Sequence, residues 1–312
     1  MTDSGNPAQD QLQRSPVLVV GGTGNLGGKV VDALLARGKE VRVLVRPATD
    51  ASGLQERGVH VVRGDMLDRE SLVRAMTGAD AVVSTAAGYT RGGKDAHDID
   101  TVGNRNLAEA AKEAGVRRFV LTSILTCDRT PGVPHFWHKK LTEDRLEQLG
   151  VPFVALRPGA FLDQVLQMRG NPFEKRTVMW LGSPDVKLTF VLTTDLARYL
   201  AEAVDAPVGP AERIDIGWDR PISITEFARI GSRITGAPLM VRTVPVRLLT
   251  FVGVVIGRWA PLVPDMAAML RWFQTGNYVA DTTRQAEVFG PVPTAEDAIA
   301  EFAVRLTRST SS

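Results

Sequence analysis

Cysteine is all but missing from this chain of 312 residues: Cys127 stands alone, which excludes an internal disulfide and fits a reducing compartment. Long apolar runs are missing as well. The best candidate, residues 248–256, lies between Arg247 and Arg258 and is far shorter than the roughly 20 residues of a membrane-spanning helix, so it reads as a buried helix or a pocket wall. Neither sign of charge is in excess, since 37 basic residues face 35 acidic ones, and a net +2 gives no field to draw in nucleic acid. Residues 1–15 are polar and hold no signal-peptide core; with 309–312 they read as tails, the first of them disordered. These absences predict a cytoplasmic protein, monomer or homodimer, with neither nucleic acid nor membrane as a partner. Two shortages bear on chemistry: there are four histidines and three tyrosines, Tyr89, Tyr199 and Tyr278. Only His135 and His138 stand close together, and no further ligand cluster accompanies them, so no metal site is expected.

What is present is organised around residues 17–28, Val-Leu-Val-Val-Gly-Gly-Thr-Gly-Asn-Leu-Gly-Gly. Four apolar residues suit a strand buried on both faces, and the glycines end it in a tight turn. Gly21, Gly24 and Gly27 form Gly-x-x-Gly-x-x-Gly, in which one glycine permits the turn, one lets the backbone approach a pyrophosphate and one lets helix and strand pack closely. Residues 29–37 then carry helical apolar spacing, Gly38 caps, and 41–45 is a second strand, completing a βαβ unit. Gly21, Thr23, Gly24, Asn25, Leu26 and Gly27 are therefore expected to hold a dinucleotide. At the end of the second strand an acid would take the ribose 2′-hydroxyl of NAD, whereas Arg46 stands there and suits the 2′-phosphate of NADP(H).

Strand and helix keep alternating, which predicts a doubly wound parallel α/β sheet. A third strand, 59–62, is followed by Asp65 and Met66, placed to meet and cover the adenine, with Asp68 as helix cap. A fourth, 81–83, ends in small residues, and Ala86, Ala87 and Gly88 let a nucleotide lie against the backbone. Helix 104–114, closed by Gly115, leads to the strand 119–121 and then Thr122 and Ser123. After a helix over 138–146, the strand 153–156 runs into Pro158, Gly159 and Phe161, expected beside the nicotinamide.

The segments Gly-Gly-Thr-Gly-Asn-Leu-Gly, Val-Leu-Val-Arg-Pro, Gly-Asp-Met-Leu-Asp, the run 104–120 and Leu-Arg-Pro-Gly together resemble the NmrA-like group of atypical short-chain dehydrogenase/reductases, from residue 17 to about 165. The resemblance implies an NAD(P)-binding Rossmann domain, taken as residues 16–160, and a smaller substrate region, 161–308, able to exchange elements with it. It also implies two outcomes on one fold: reduction of small hydrophobic carbonyls, enones or quinones, or cofactor sensing that regulates a partner. Lys139 and Glu143 match the family's lysine and glutamate spacing, and one helical turn apart they are expected to pair.

The usual Tyr-x-x-x-Lys of short-chain dehydrogenases is broken here, because His135 and Phe136 stand four residues before Lys139 and Lys140. Three consequences are open. Lys139, in a dry pocket, polarises the carbonyl or donates a proton itself; His135 replaces the phenol; or catalysis has been lost and cofactor binding retained. Ser123 lies near the place of the serine that binds the substrate oxygen in classical short-chain dehydrogenases, although that register falls on Ile124. Beyond 162 the chain offers strands at 178–181 and 188–192, helices at 194–204, 222–235 and 295–306, and a set of large apolar side chains that includes Phe251, Trp259, Met266, Met269, Trp272 and Phe273. These line a hydrophobic pocket or fill a core of their own.

Overall fold

The computed structural model describes residues 16–89, 96–167, 170–244 and 262–309. The expectations for 1–15, 248–256 and 310–312, and for Phe251 and Trp259, lie outside the described residues.

The first half follows the expected alternation. Strand β1 (Val17–Val20), wholly buried, leads into α1 (Asn25–Ala36), then β2 (Val41–Val45), a short α2 (Ser52–Gln55), β3 (His60–Arg63), α3 (Arg69–Met76) and β4 (Ala81–Ser84). A π-helical stretch, Ala96–Gly103, runs into α4 (Asn104–Glu113), and β5 (Arg118–Thr122), α5 (Pro134–Gln148) and β6 (Phe153–Pro158) follow. Alternation along β1 divides the two faces of the sheet. Val17 and Val19 join α1 and the helix at 193–202 in one core, while Leu18 and Val20 join α3 and α4 in another. Of the boundaries that differ from expectation, two have a visible cause. The Val59 amide closes the preceding turn on the Leu54 carbonyl at 3.1 Å, so β3 starts one residue later; and Pro134, needing no amide partner, opens α5 ahead of His138.

Beyond residue 160 come β7 (Ala160–Phe161), α6 (Leu162–Gln167), β8 (Thr177–Leu181), β9 (Phe190–Val191), α7 (Thr193–Glu202), β10 (Ala211–Ile216), α8 (Ile224–Thr235), β11 (Met240–Val244), α9 (Leu262–Phe273), α10 (Thr283–Phe289) and α11 (Ala295–Ser309). The main sheet is seven-stranded and parallel, in the order β10-β6-β5-β4-β1-β2-β3. Its edge strand β10, which the sequence reading overlooked, comes from the region assigned to substrate. The expected strand 188–192 shrinks to β9, because Leu188 bridges Ile222 instead, and that bridge together with the Ser223 cap delays α8 to Ile224. A third core, around Phe190, Trp218, Phe227 and Phe302, fills the smaller region. Strand order reverses between β1 and β4, and a crevice is expected outside their carboxyl ends.

Candidate functional site

A cavity of about 1180 Å³ opens at that crevice. Its floor is the glycine turn. Gly21 sits at φ +88°, its carbonyl accepts the Gly24 amide at 3.0 Å, and a Cβ on Gly27 would fall 2.0 Å from that same carbonyl oxygen. Gly27→Ala therefore has to open the turn, and thermal unfolding should show a loss of about 1–3 kcal/mol; an unaltered melt would contradict this packing. Gly24 caps α1 with extended backbone and no side-chain acceptor, and no acid lies in the first turn. The leading amides of a helix have no partner within it, so this end of α1 offers N–H groups and positive potential to the cavity, where Gly24, Asn25, Leu26 and Gly27 form the wall. Thr23 is exposed on the same turn.

The loop after β4 is fastened from two sides. Asp100, buried in the π-helical stretch, accepts the Gly88 and Tyr89 amides at 2.8 and 3.0 Å. From α5, Lys139 donates from Nζ to the Ala86 carbonyl at 3.1 Å. Lys139 is 5 % exposed, and burial lowers its ammonium below the usual lysine range against the opposing pull of Asp100. Ala87 and Lys139 both face the cavity, as do Pro158, Gly159 and Phe161 at its far rim.

The expected pairing of Lys139 with Glu143 is not what the structure holds. Glu143, fully buried, takes Arg157 in a bidentate pair (3.0 and 2.6 Å), Arg213 from β10 at 3.0 Å and the Ser123 hydroxyl at 2.6 Å. Two guanidiniums outcompete one ammonium because their fork geometry satisfies both carboxylate oxygens. Ser123 lines the cavity with its hydroxyl bound to Glu143. Cys127 lies beside the same carboxylate, and burial and that charge push its thiol up to about 12, which leaves it an inert packing group.

Because α5 opens ahead of the expected 138, His135 sits in its first turn, 7 % exposed; its Nδ1 meets Asp265 Oδ1 of α9 at 2.7 Å, and the Tyr89 ring stacks on it at 4.0 Å. Tyr89 and Tyr278 both reach the cavity although no phenol occupies the Tyr-x-x-x-Lys position. Tyr278 donates to the Pro158 carbonyl at 3.3 Å, and burial raises both phenols well above the usual tyrosine value. Sequence reasoning missed Tyr89, Asp100 and Asp265. The one available signal was Asp265 as a single acid within the otherwise apolar start of α9.

Six expected cofactor residues, Thr23, Arg46, Asp65, Met66, Ala86 and Gly88, are not part of the cavity wall. Arg46 follows β2, exposed, and its loop is held by Arg63, which donates to the Arg46 and Thr49 carbonyls at 3.1 and 2.6 Å. Asp65 turns Oδ1 onto the Leu67 amide at 2.9 Å, and Met66 is buried in the core against Gly103. The remaining lobe of the cavity is apolar, with Leu166, Met179, Trp180, Met266, Met269 and Phe273 on it. Trp272 points elsewhere, donating to Thr126 Oγ1 at 3.0 Å.

A profile of the NmrA-like family matches residues 13–298. The photosystem II assembly factor Ycf39 of Synechocystis sp. is 28% identical over 235 residues, covering 75% of this chain and 72% of that protein. An isoflavone reductase homolog of Zea mays is 34% identical over 216 residues, covering 62% and 66%. Among solved structures, the triphenylmethane reductase of Citrobacter sp. complexed with NADP(H) superposes with a TM-score of 0.74 at 21% identity, over 92% of this chain and 99% of that one.

Proposed function

The chain belongs to the NmrA-like family, and from that premise we propose that it is an NADPH-dependent reductase of small hydrophobic carbonyl, enone or quinone compounds. One observation carries this reading: an uncapped helix end behind a glycine turn, a buried lysine and an apolar lobe share one cavity. The residues suit the dinucleotide, since the tight glycines leave backbone room for a diphosphate and the amides opening α1 match its charge. When bound, the cofactor supplies a hydride. The protein's own part is to exclude water, orient the acceptor in the apolar lobe and hold the Lys139 ammonium where negative charge develops on its oxygen.

Arg46 is proposed to take the 2′-phosphate, with Arg63 fixing the loop that carries it and Asp65 near the adenine. Arg46→Asp should raise the calorimetric Kd for NADP at least about tenfold and leave NAD nearly unchanged, the equivalent of one charge-assisted contact. An unchanged NADP-to-NAD ratio would remove Arg46 from the site.

A second reading, an NADP-binding redox sensor without turnover, draws support from the missing Tyr-x-x-x-Lys phenol and from the relative named as an assembly factor. Following NADPH absorbance at 340 nm over a panel of quinones and enones separates the two. Consumption with any member supports the reductase, and tight binding with no consumption supports the sensor.

A further inference from the structure

We propose that the His135–Asp265 pair is the oxygen-recognising and proton-donating group of the cavity, with His135 the catalytic residue and Asp265 its positioning residue. The proposal rests on the reductase reading for its hydride. His135 lines the cavity, and its Nδ1 is committed to Asp265 Oδ1 at 2.7 Å, from a helix far along the chain. A carboxylate only accepts, so Nδ1 carries hydrogen, and Nε2 is the ring nitrogen left to meet a ligand. Both partners are nearly buried, so the bond between them is shielded from water. Tyr89 adds to this: its ring lies parallel to the imidazole within 15°, and its hydroxyl is buried with no partner among the described residues.

The step balances as follows. Two electrons and one hydrogen reach the substrate carbon as the hydride, oxidising the dihydronicotinamide. The carbon–oxygen π pair moves onto oxygen, the Nε2–H bond breaks, an O–H bond forms, and the ring is left neutral with Nδ1–H on Asp265. Solvent then returns a proton to Nε2. The titratable groups around the ring are Asp265 from α9, Tyr89 from the β4 loop, and His138 and Lys139 farther along α5, with Asp100 acting on the last two.

The test has one arm free of turnover. In histidine-labelled wild-type protein, 2-naphthol, a probe with a ring-borne hydroxyl, should shift the Nε2 resonance of His135, and a shift absent at that nitrogen would overturn the proposal. In the second arm, Asp265→Asn and His135→Gln should each lower kcat about 10²-fold while KM and the calorimetric affinity for NADPH stay within about twofold. Wild-type kcat should fall as pH rises through the imidazole ionisation, and His135→Gln should erase that limb. Wild-type kcat and pH profile in Asp265→Asn would overturn the proposal. If the wild type binds NADPH and reduces nothing, the reductase reading falls; the naphthol shift then decides alone whether His135 recognises oxygen.

Discussion

Glu143→Ala should destabilise the protein by about 3–5 kcal/mol, the cost of leaving buried charge without its partner. Among the described residues the carboxylate is the only acid shared by Arg157 and Arg213, and it also accepts from Ser123, so its loss strands two guanidiniums and a hydroxyl at once. Arg157 keeps Asp128 at 2.9 Å, and Arg213 keeps Glu147 at 2.7 Å, but both of those acids are partly or mostly exposed and screened by water. In a chain of this size the thermal midpoint should drop by about 5–8 °C. Glu143→Gln retains an acceptor oxygen and should recover part of the loss. Equal midpoints for alanine variant and wild type would show that the network contributes nothing net.

Lys139→Met should lower kcat about 10³-fold while leaving the fold intact or more stable. The two halves have one cause. Burial holds the ammonium below its ordinary ionisation, so the folded state bears a desolvation cost for keeping it charged. The sign follows from linkage: the cost is present in full below the lowered folded value and disappears as pH climbs to the unfolded lysine range. The methionine variant should thus gain most in melting temperature at low pH, with the gap closing toward alkaline pH. A variant that melts lower than wild type at every pH would mean that the bond to the Ala86 carbonyl outweighs the desolvation. A variant with wild-type kcat would remove Lys139 from the reaction.

Most strands and helices of the first 160 residues, though not α2 or the π-helical stretch, were legible because each signal was local: the apolar run of β1, the glycine turn, the positive-φ Gly38 and Gly115 after α1 and α4. The candidate site was legible only in part. Lys139 was singled out by the family resemblance, but its partner was misjudged, since helical spacing brings Glu143 within reach while saying nothing of Arg157 and Arg213 arriving from two strands. Asp265 lies 130 residues from His135, and no periodicity links them. Strand β10 went unread because Ala211–Ile216, with Glu212, Arg213 and Asp215, lacks the apolar run of an interior strand; it needs none, since it stands at the edge of the sheet.

That edge position limits how the chain can be taken apart. The last strand to join the sheet is supplied from past the rim of the cavity, and through Arg213 it grips the helix that carries Lys139 and His135. Grafting a relative's distal half to change ligand preference, with a junction near residue 160, would exchange a border of the nucleotide sheet along with the pocket. Junctions that respect this architecture fall after Ile216, where the chain has already returned what the sheet requires.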